Sequence, residues 1–184
     1  MRKCIDEIDF LFQRFGMKSY GEDCSQLTHA ISSAEHAIRD GAKEYLVIAA
    51  FLHDIGHLLA DSDDMAGLTD FGHPKHSDIA ACWLQKKGFP DSVIQPIKYH
   101  VCAKRYLQRK QQTLSQASTI TLAQQGGTMN DHEAELFAQK PYFSDALRLR
   151  AYDNLGKPKS MAAVNLGYWL RRIENFYLLT RKAV

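Results

Sequence analysis

The run from Glu44 to Leu59 constrains this chain more than any other stretch. From Tyr45 to Leu52 it is apolar on every side, the mark of a helix buried all round rather than one lying on a surface. His53, Asp54 and His57 are set into its end. A charge buried there costs several kcal/mol or more unless something pairs with it. Neutral imidazole and carboxylate are both good donors to a divalent first-row metal, so an adjacent His-Asp in a buried helix points to an ion. The plainer reading is a core histidine beside a C-capping aspartate, and only the rest of the chain decides between them.

Around this run, helical periodicity dominates and no alternating strand pattern is present. The spacing predicts helices over 3–15, 26–40 (capped by Ser25, closed by Gly41), 43–59, 74–87, 91–108, 113–125, 131–139, 142–155 and 160–181. Asp61, Ser62, Asp63 and Asp64 open a predicted loop that runs to Gly72. That acidic cluster reads as solvated rather than as a cation site. The expectation is an all-α fold forming one domain over residues 1–184.

Composition excludes several classes. A formal charge of +2 over 184 residues gives no global argument for nucleic acid or an anionic membrane. No apolar run approaches the roughly 20 residues of a membrane span. Acids enter by Asp6 and Glu7, too early for a secretory signal. Cys4, Cys24, Cys82 and Cys102 are scattered without paired spacing, so neither a disulfide framework nor a zinc ribbon is implied. The chain reads as a cytoplasmic protein whose partners are small molecules.

Further candidates stand on other predicted helices. His29 and His36 share a face turned away from Leu27, Ile31, Ala34 and Ile38. Spacing favours reading that face as an outer polar one; the alternative is that small residues there admit a neighbouring helix. Spacing alone does not choose between the two histidines. His76 falls on the stripe of Ile79, Ala80 and Trp83 and points inward, whereas His73 precedes Pro74 in extended backbone. His100 lies beside Ile97 and Val101. Lys104, one turn on, either snorkels to solvent or meets an anion. Asp153 follows Arg150 by one turn, the spacing of an intrahelical ion pair. Singly, each has an ordinary structural role; together, four histidines and two aspartates suit two metals bridged by a carboxylate.

His29, the pair His53-Asp54 and the distal Asp153 resemble the H…HD…D pattern of the HD-domain superfamily, which binds metal in an all-helical fold. His76 and His100 resemble its dinuclear branch. From about residue 19 to 157 the chain looks closer to the mixed-valence diiron oxygenases related to myo-inositol oxygenase, above all those that act on 2-amino-1-hydroxyethylphosphonate. The specific pieces are Gly-Glu-x-x-x-Gln-Leu-x-His (Gly21 to His29), His-Asp-x-Gly-His (His53 to His57) and His-Val-x-Ala-Lys-Arg-Tyr-Leu (His100 to Leu107). Two more are Ala-Ser-x-x-Thr-Leu-x-x-Gln-Gly-Gly-x-Met (Ala117 to Met129) and Arg-Ala-Tyr-Asp-x-x-Gly-Lys (Arg150 to Lys157).

The resemblance implies one iron held by His29, His53, Asp54 and Asp153, and a second held by His76 and His100, with Asp54 bridging a ferrous–ferric pair. It implies phosphonate binding by Lys104, Ser118, Thr121 and Gln125, substrate contact by His57, and Arg150 in the substrate group. Ser118, Thr121 and Gln125 are about one turn apart on one helix face. The related oxygenases carry a Tyr three residues before the Glu that corresponds to Glu22, and the two gate the open iron position. Here Ser19 stands three residues before and Tyr20 two, so the gate falls to Tyr20 or Ser19. Glu22 is the candidate for a substrate ammonium, and Tyr20 for a methylated one. The implied reaction uses O2 to cleave a carbon–phosphorus bond, giving phosphate and glycine or an N-methylated glycine. The competing reading is an HD-type hydrolase whose metals activate water against a phosphate ester.

Overall fold

Local signals in the sequence start and stop most of the helices. Ser25 caps α2 (Gln26–Arg39), its hydroxyl accepting from the Thr28 amide. Ser115 caps α7 (Gln116–Gln124) in the same way, and Asn130 with Glu133 forms a reciprocal capping box on α8 (Asp131–Ala138). Gly88, at φ +81°, closes α5 (His76–Lys87) in the left-handed conformation. The remaining elements are α1 (Arg2–Phe15), α3 (Glu44–Leu52), α4 (Ile55–Ser62), α6 (Asp91–Leu107), a 3-10 turn (Gln108–Lys110), α9 (Phe143–Leu155) and α10 (Leu166–Lys182). The computed structural model describes residues 2–110, 113–158 and 165–182, and among these the fold is all-α, with a lone bridge between Thr69 and Gly72.

Helix α3 is the axis of the core. Leu46 to Leu52 are seven consecutive residues with essentially no exposure, wrapped by α2, α6 and α9. Phe51 is covered by Phe12 of α1 and stacks on Trp169 of α10 at 5.2 Å. A smaller cluster of Ala103, Met129, Ala134, Phe137 and Ala146 seats α8 against α6 and α9. Among the described residues no helix is long and apolar enough to cross a membrane.

Several expectations are corrected. The predicted helix over 43–59 is two helices that break at His53-Asp54, where Asp54 takes φ −99° and ψ 6°. The break lets both side chains turn into one cleft instead of pointing about 100° apart around an unbroken helix. Asp61 and Ser62 do not open a loop, because α4 continues through Ser62 and Asp61 accepts from Tyr20 and Lys18. The helix expected over 113–125 begins at Gln116, where Ser115 offers the cap. Helices expected from residues 74 and 142 begin at His76 and Phe143, the latter after Tyr142 in the left-handed region at φ 63°. The expected start of the last helix at 160 lies outside the described residues.

The polar face of α2 is also not an outer one. His29 is 3% exposed, with Ala30, Ser32, Ser33 and Ala37 buried beside it, while Ile38 is 40% exposed. These small residues admit the end of α9. At Gly156 a Cβ would come within 2.1 Å of Ser33 Oγ, so only glycine permits that approach.

Candidate metal centre

Helices α2, α3, α5 and α6 each bring one histidine to a common cleft, and the second nitrogen of each ring is already assigned. Nδ1 of His29 meets the Gly156 carbonyl at 2.8 Å, that of His53 the Ala50 carbonyl at 2.8 Å. His76 meets the His73 carbonyl at 2.9 Å and His100 the Ile97 carbonyl at 2.6 Å. A carbonyl can only accept, so each Nδ1 carries the proton and each Nε2 presents a lone pair. This is the arrangement by which proteins orient a metal-binding imidazole.

Those lone pairs face one another in two couples. His29 and His53 place their Nε2 atoms 3.2 Å apart, and His76 and His100 theirs 3.0 Å apart. Two acceptors at that separation cannot satisfy each other; a cation between them can. Asp54 divides its carboxylate between the couples. Its Oδ2 lies 3.5 Å from His29 and 3.4 Å from His53, its Oδ1 3.4 Å from His76 and 3.6 Å from His100. Asp153 joins the first couple alone, with Oδ1 3.3 Å from His29 and 3.9 Å from His53.

The electrostatics separate the two lobes. Burial opposes charge on both carboxylates, yet the surrounding imidazoles hold Asp54, and Arg150 and Lys157 hold Asp153, well below the usual carboxylate range. Against the same burial, Asp153 and Asp54 raise His29 to about 10, the pull of two carboxylates on whatever cation, proton or metal ion, sits at its Nε2. Burial and neighbouring His76 push His100 down to about 3. The donor set of imidazole nitrogen and carboxylate oxygen fits first-row transition ions such as iron, manganese or zinc.

By distance alone, His57 could share an ion with Asp54 and His76. Its hydrogen bonding says otherwise. Nδ1 of His57 accepts from the His73 backbone N–H at 2.9 Å, so the neutral ring carries its proton on Nε2 and donates. The ring stacks on His76 at 3.9 Å with Nε2 4.0 Å from Asp54 Oδ1, and burial keeps it neutral. Gly72, at φ +81°, leaves room for it; a Cβ there would come within 2.3 Å of Nδ1. One residue, His73, therefore fixes both tautomers: its N–H leaves the His57 proton on Nε2, and its carbonyl leaves the His76 Nε2 lone pair facing the cleft.

Beside the cleft lies a small cavity of about 50 Å³, room for a few waters or a compact anion. Three cations meet at Ser118. Lys104, 4% exposed, donates to Thr121 Oγ1 at 3.0 Å and the Ser118 carbonyl at 3.4 Å. Burial and nearby Arg150 lower its pKa to about 7. Arg150 donates to Asp153 Oδ2 at 2.5 Å and reaches Ser118 Oγ at 3.4 Å. Lys157 Nζ lies 3.2 Å from the same hydroxyl. The Nε of Arg150 and the Oε1 of Gln125 are buried without partners among the described residues.

Tyr20, Glu22 and His57 complete the cavity wall. Tyr20, buried and at φ 46°, donates to Asp61 Oδ2 at 2.7 Å, its ring 5.2 Å from that of His57; Ser19 is exposed. Except for the exposed Ser19, the candidate site residues read from the sequence lie at or beside one cleft. Asp61, expected in a loop, holds the Tyr20 hydroxyl there, and Lys157, which ends the Arg150–Lys157 motif, adds a third cation.

Comparison with known proteins agrees. Residues 24–135 match the HD domain. Over 170 residues the chain is 37% identical to an uncharacterised protein of Acanthamoeba polyphaga mimivirus, covering 90% of this chain and 78% of the relative. It is 34% identical to a hydroxymethylphosphonate dioxygenase of Gimesia maris, covering 90% and 84%. It is 31% identical to a [1-hydroxy-2-(trimethylamino)ethyl]phosphonate dioxygenase (glycine-betaine-forming) of Leisingera caerulea, covering 90% and 85%. With paired imidazoles, a shared aspartate and these relatives together, the chain belongs to the HD-domain family.

Proposed function

We propose that this protein is a non-haem diiron oxygenase that uses O2 to cleave the carbon–phosphorus bond of a 1-hydroxy-2-aminoethylphosphonate, its amine free or N-methylated. The products are inorganic phosphate and glycine or an N-methylated glycine. The observation that carries this reading is Asp54, whose two oxygens reach one histidine couple each. Support for the substrate class comes from three cations converging on Ser118 and from two relatives named as phosphonate dioxygenases.

In this reading His29, His53, Asp54 and Asp153 hold one ion, and His76 and His100 hold the other with Asp54 shared. A ferrous–ferric pair bound there would supply Lewis acidity toward the substrate oxygens and redox chemistry toward O2. The chain's own part is binding and orientation. Lys104, Arg150, Ser118, Thr121 and Gln125 receive the phosphonate, the cations by charge-assisted hydrogen bonds. The stranded Arg150 Nε is then a buried donor still awaiting an acceptor. His57 donates from Nε2 to a substrate oxygen. Tyr20 closes the cavity over it, and Glu22 takes the ammonium. The overall reaction balances without an added reductant: the C–H and C–P bonds are lost, the carbinol carbon and the phosphorus each gain one oxygen atom to become carboxylate and phosphate, and O2 accepts the four electrons.

A metal-dependent phosphohydrolase is the second reading, favoured by the fact that imidazole and carboxylate donors also suit manganese or another hydrolytic ion. Phosphate release from 2-amino-1-hydroxyethylphosphonate with and without O2 separates the two. The oxygenase releases phosphate only in O2; equal release under argon identifies hydrolysis.

A further inference from the structure

Lys157 lies just past the end of α9, and of the three cations at Ser118 it is the one given no task above. Its Nζ lies 2.6 Å from Glu22 Oε1, 3.2 Å from Ser118 Oγ, 3.3 Å from Ser115 Oγ and 3.8 Å from Asp153 Oδ1. Glu22 also accepts from Ser115 Oγ at 2.8 Å. Both charged side chains are about 15% exposed, and both line the cavity. A pair that merely fastened the segment ahead of α2 to α9 could do so from the surface, where such pairs contribute little. This one turns inward, with its positive end beside the Ser118 hydroxyl and its negative end on the far side.

We propose that the Lys157–Glu22 ion pair occupies the seat of a zwitterionic substrate and selects for one, Lys157 exchanging Glu22 for the phosphonate while Glu22 exchanges Lys157 for the ammonium. The proposal rests on the phosphonate reading above. An anion held at Ser118 by Lys104 and Arg150 is within hydrogen-bonding reach of Lys157. Once Lys157 turns to it, Glu22 faces a nearby anion with no counter-charge, and an uncompensated charge in such a place is costly. A substrate ammonium removes that cost; a hydroxyl or hydrogen in its place does not. The pair thus discriminates by leaving the wrong substrate with an unmatched carboxylate.

The test is anaerobic calorimetric binding of two probes, hydroxymethylphosphonate and 2-amino-1-hydroxyethylphosphonate, to the iron-loaded protein and its variants. The wild type binds the aminated probe more tightly. Glu22→Gln weakens the aminated probe about tenfold, one charge-assisted contact, and tightens hydroxymethylphosphonate, which then strands no carboxylate. Lys157→Gln weakens both probes about tenfold, because either phosphonate loses one charge-assisted contact. Lys157→Arg, which keeps the charge, retains the wild-type preference. Equal weakening of both probes in Glu22→Gln, or unchanged binding of both in Lys157→Gln, makes the pair a fastener and overturns the proposal. So does a wild type that binds hydroxymethylphosphonate but not the aminated probe, which leaves the phosphonate reading standing. Binding of neither probe by the wild type overturns both.

Discussion

The two histidine couples are alike in geometry and unlike in the carboxylates they face. His29 and His53 face two carboxylates, and His29 is raised to about 10. His76 and His100 share a single carboxylate oxygen, and His100 is pushed down to about 3. Two carboxylates therefore face the first lobe and one faces the second, although both lobes are buried. The difference comes from Asp153, tied by Arg150 so that one oxygen points at His29. The first lobe thus offers four protein donors, and the second offers three and opens toward the cavity.

Asp54→Ala breaks this comparison most severely, since it removes the donor common to both lobes. The expected outcome is loss of both irons and of all oxygen-dependent phosphate release, read by metal analysis per chain. Retention of two irons by that variant removes Asp54 from its bridging role. His100→Ala sharpens the comparison: the second lobe loses half of its imidazoles while the first keeps all four donors. The expected product is a protein with one iron, not none, and no turnover.

Lys104→Ala tests the cavity rather than the lobes. Both irons stay, and the KM for phosphonate rises about 10- to 100-fold, the worth of a charge-assisted hydrogen bond. If KM is unchanged, Lys104 plays no part in binding. The same residue sets a pH dependence. Burial lowers the Lys104 pKa to about 7, and a bound dianion favours its charged form. Phosphonate affinity is therefore full below that pH and falls as pH rises from about 7 toward 9, when binding must first restore the proton. A flat profile of affinity over that range contradicts the assignment. Ser25→Ala gives the smallest effect: loss of one N-cap lowers stability by about 1 kcal/mol, visible in denaturant unfolding, with iron content unchanged.

What was legible in the sequence was the buried axis and the type of chemistry at its end. Tyr45 to Leu52 could be placed inside because nothing polar interrupts them, and His53-Asp54 stood out against that background. His29 was not legible by periodicity, because hydrophobicity marks faces buried against large side chains. The inner face of α2 is instead made of alanine and serine against Gly156. The break between α3 and α4 was equally hidden: no glycine or proline marks it, and it serves the site rather than local propensity. The motif resemblance supplied His29 where spacing could not. Asp61 lay beyond both, since its partner Tyr20 is 41 residues away in sequence; Lys157 ends a quoted motif, but its pairing with Glu22, 135 residues away, was marked by neither.

The central claim is a carboxylate shared by two unequal ions, and electron paramagnetic resonance of the iron-loaded, partly reduced protein tests it most directly. A shared Asp54 predicts the low-spin-total signal of a coupled ferrous–ferric pair, with two irons per chain. An isolated high-spin ferric signal with one iron per chain would contradict it.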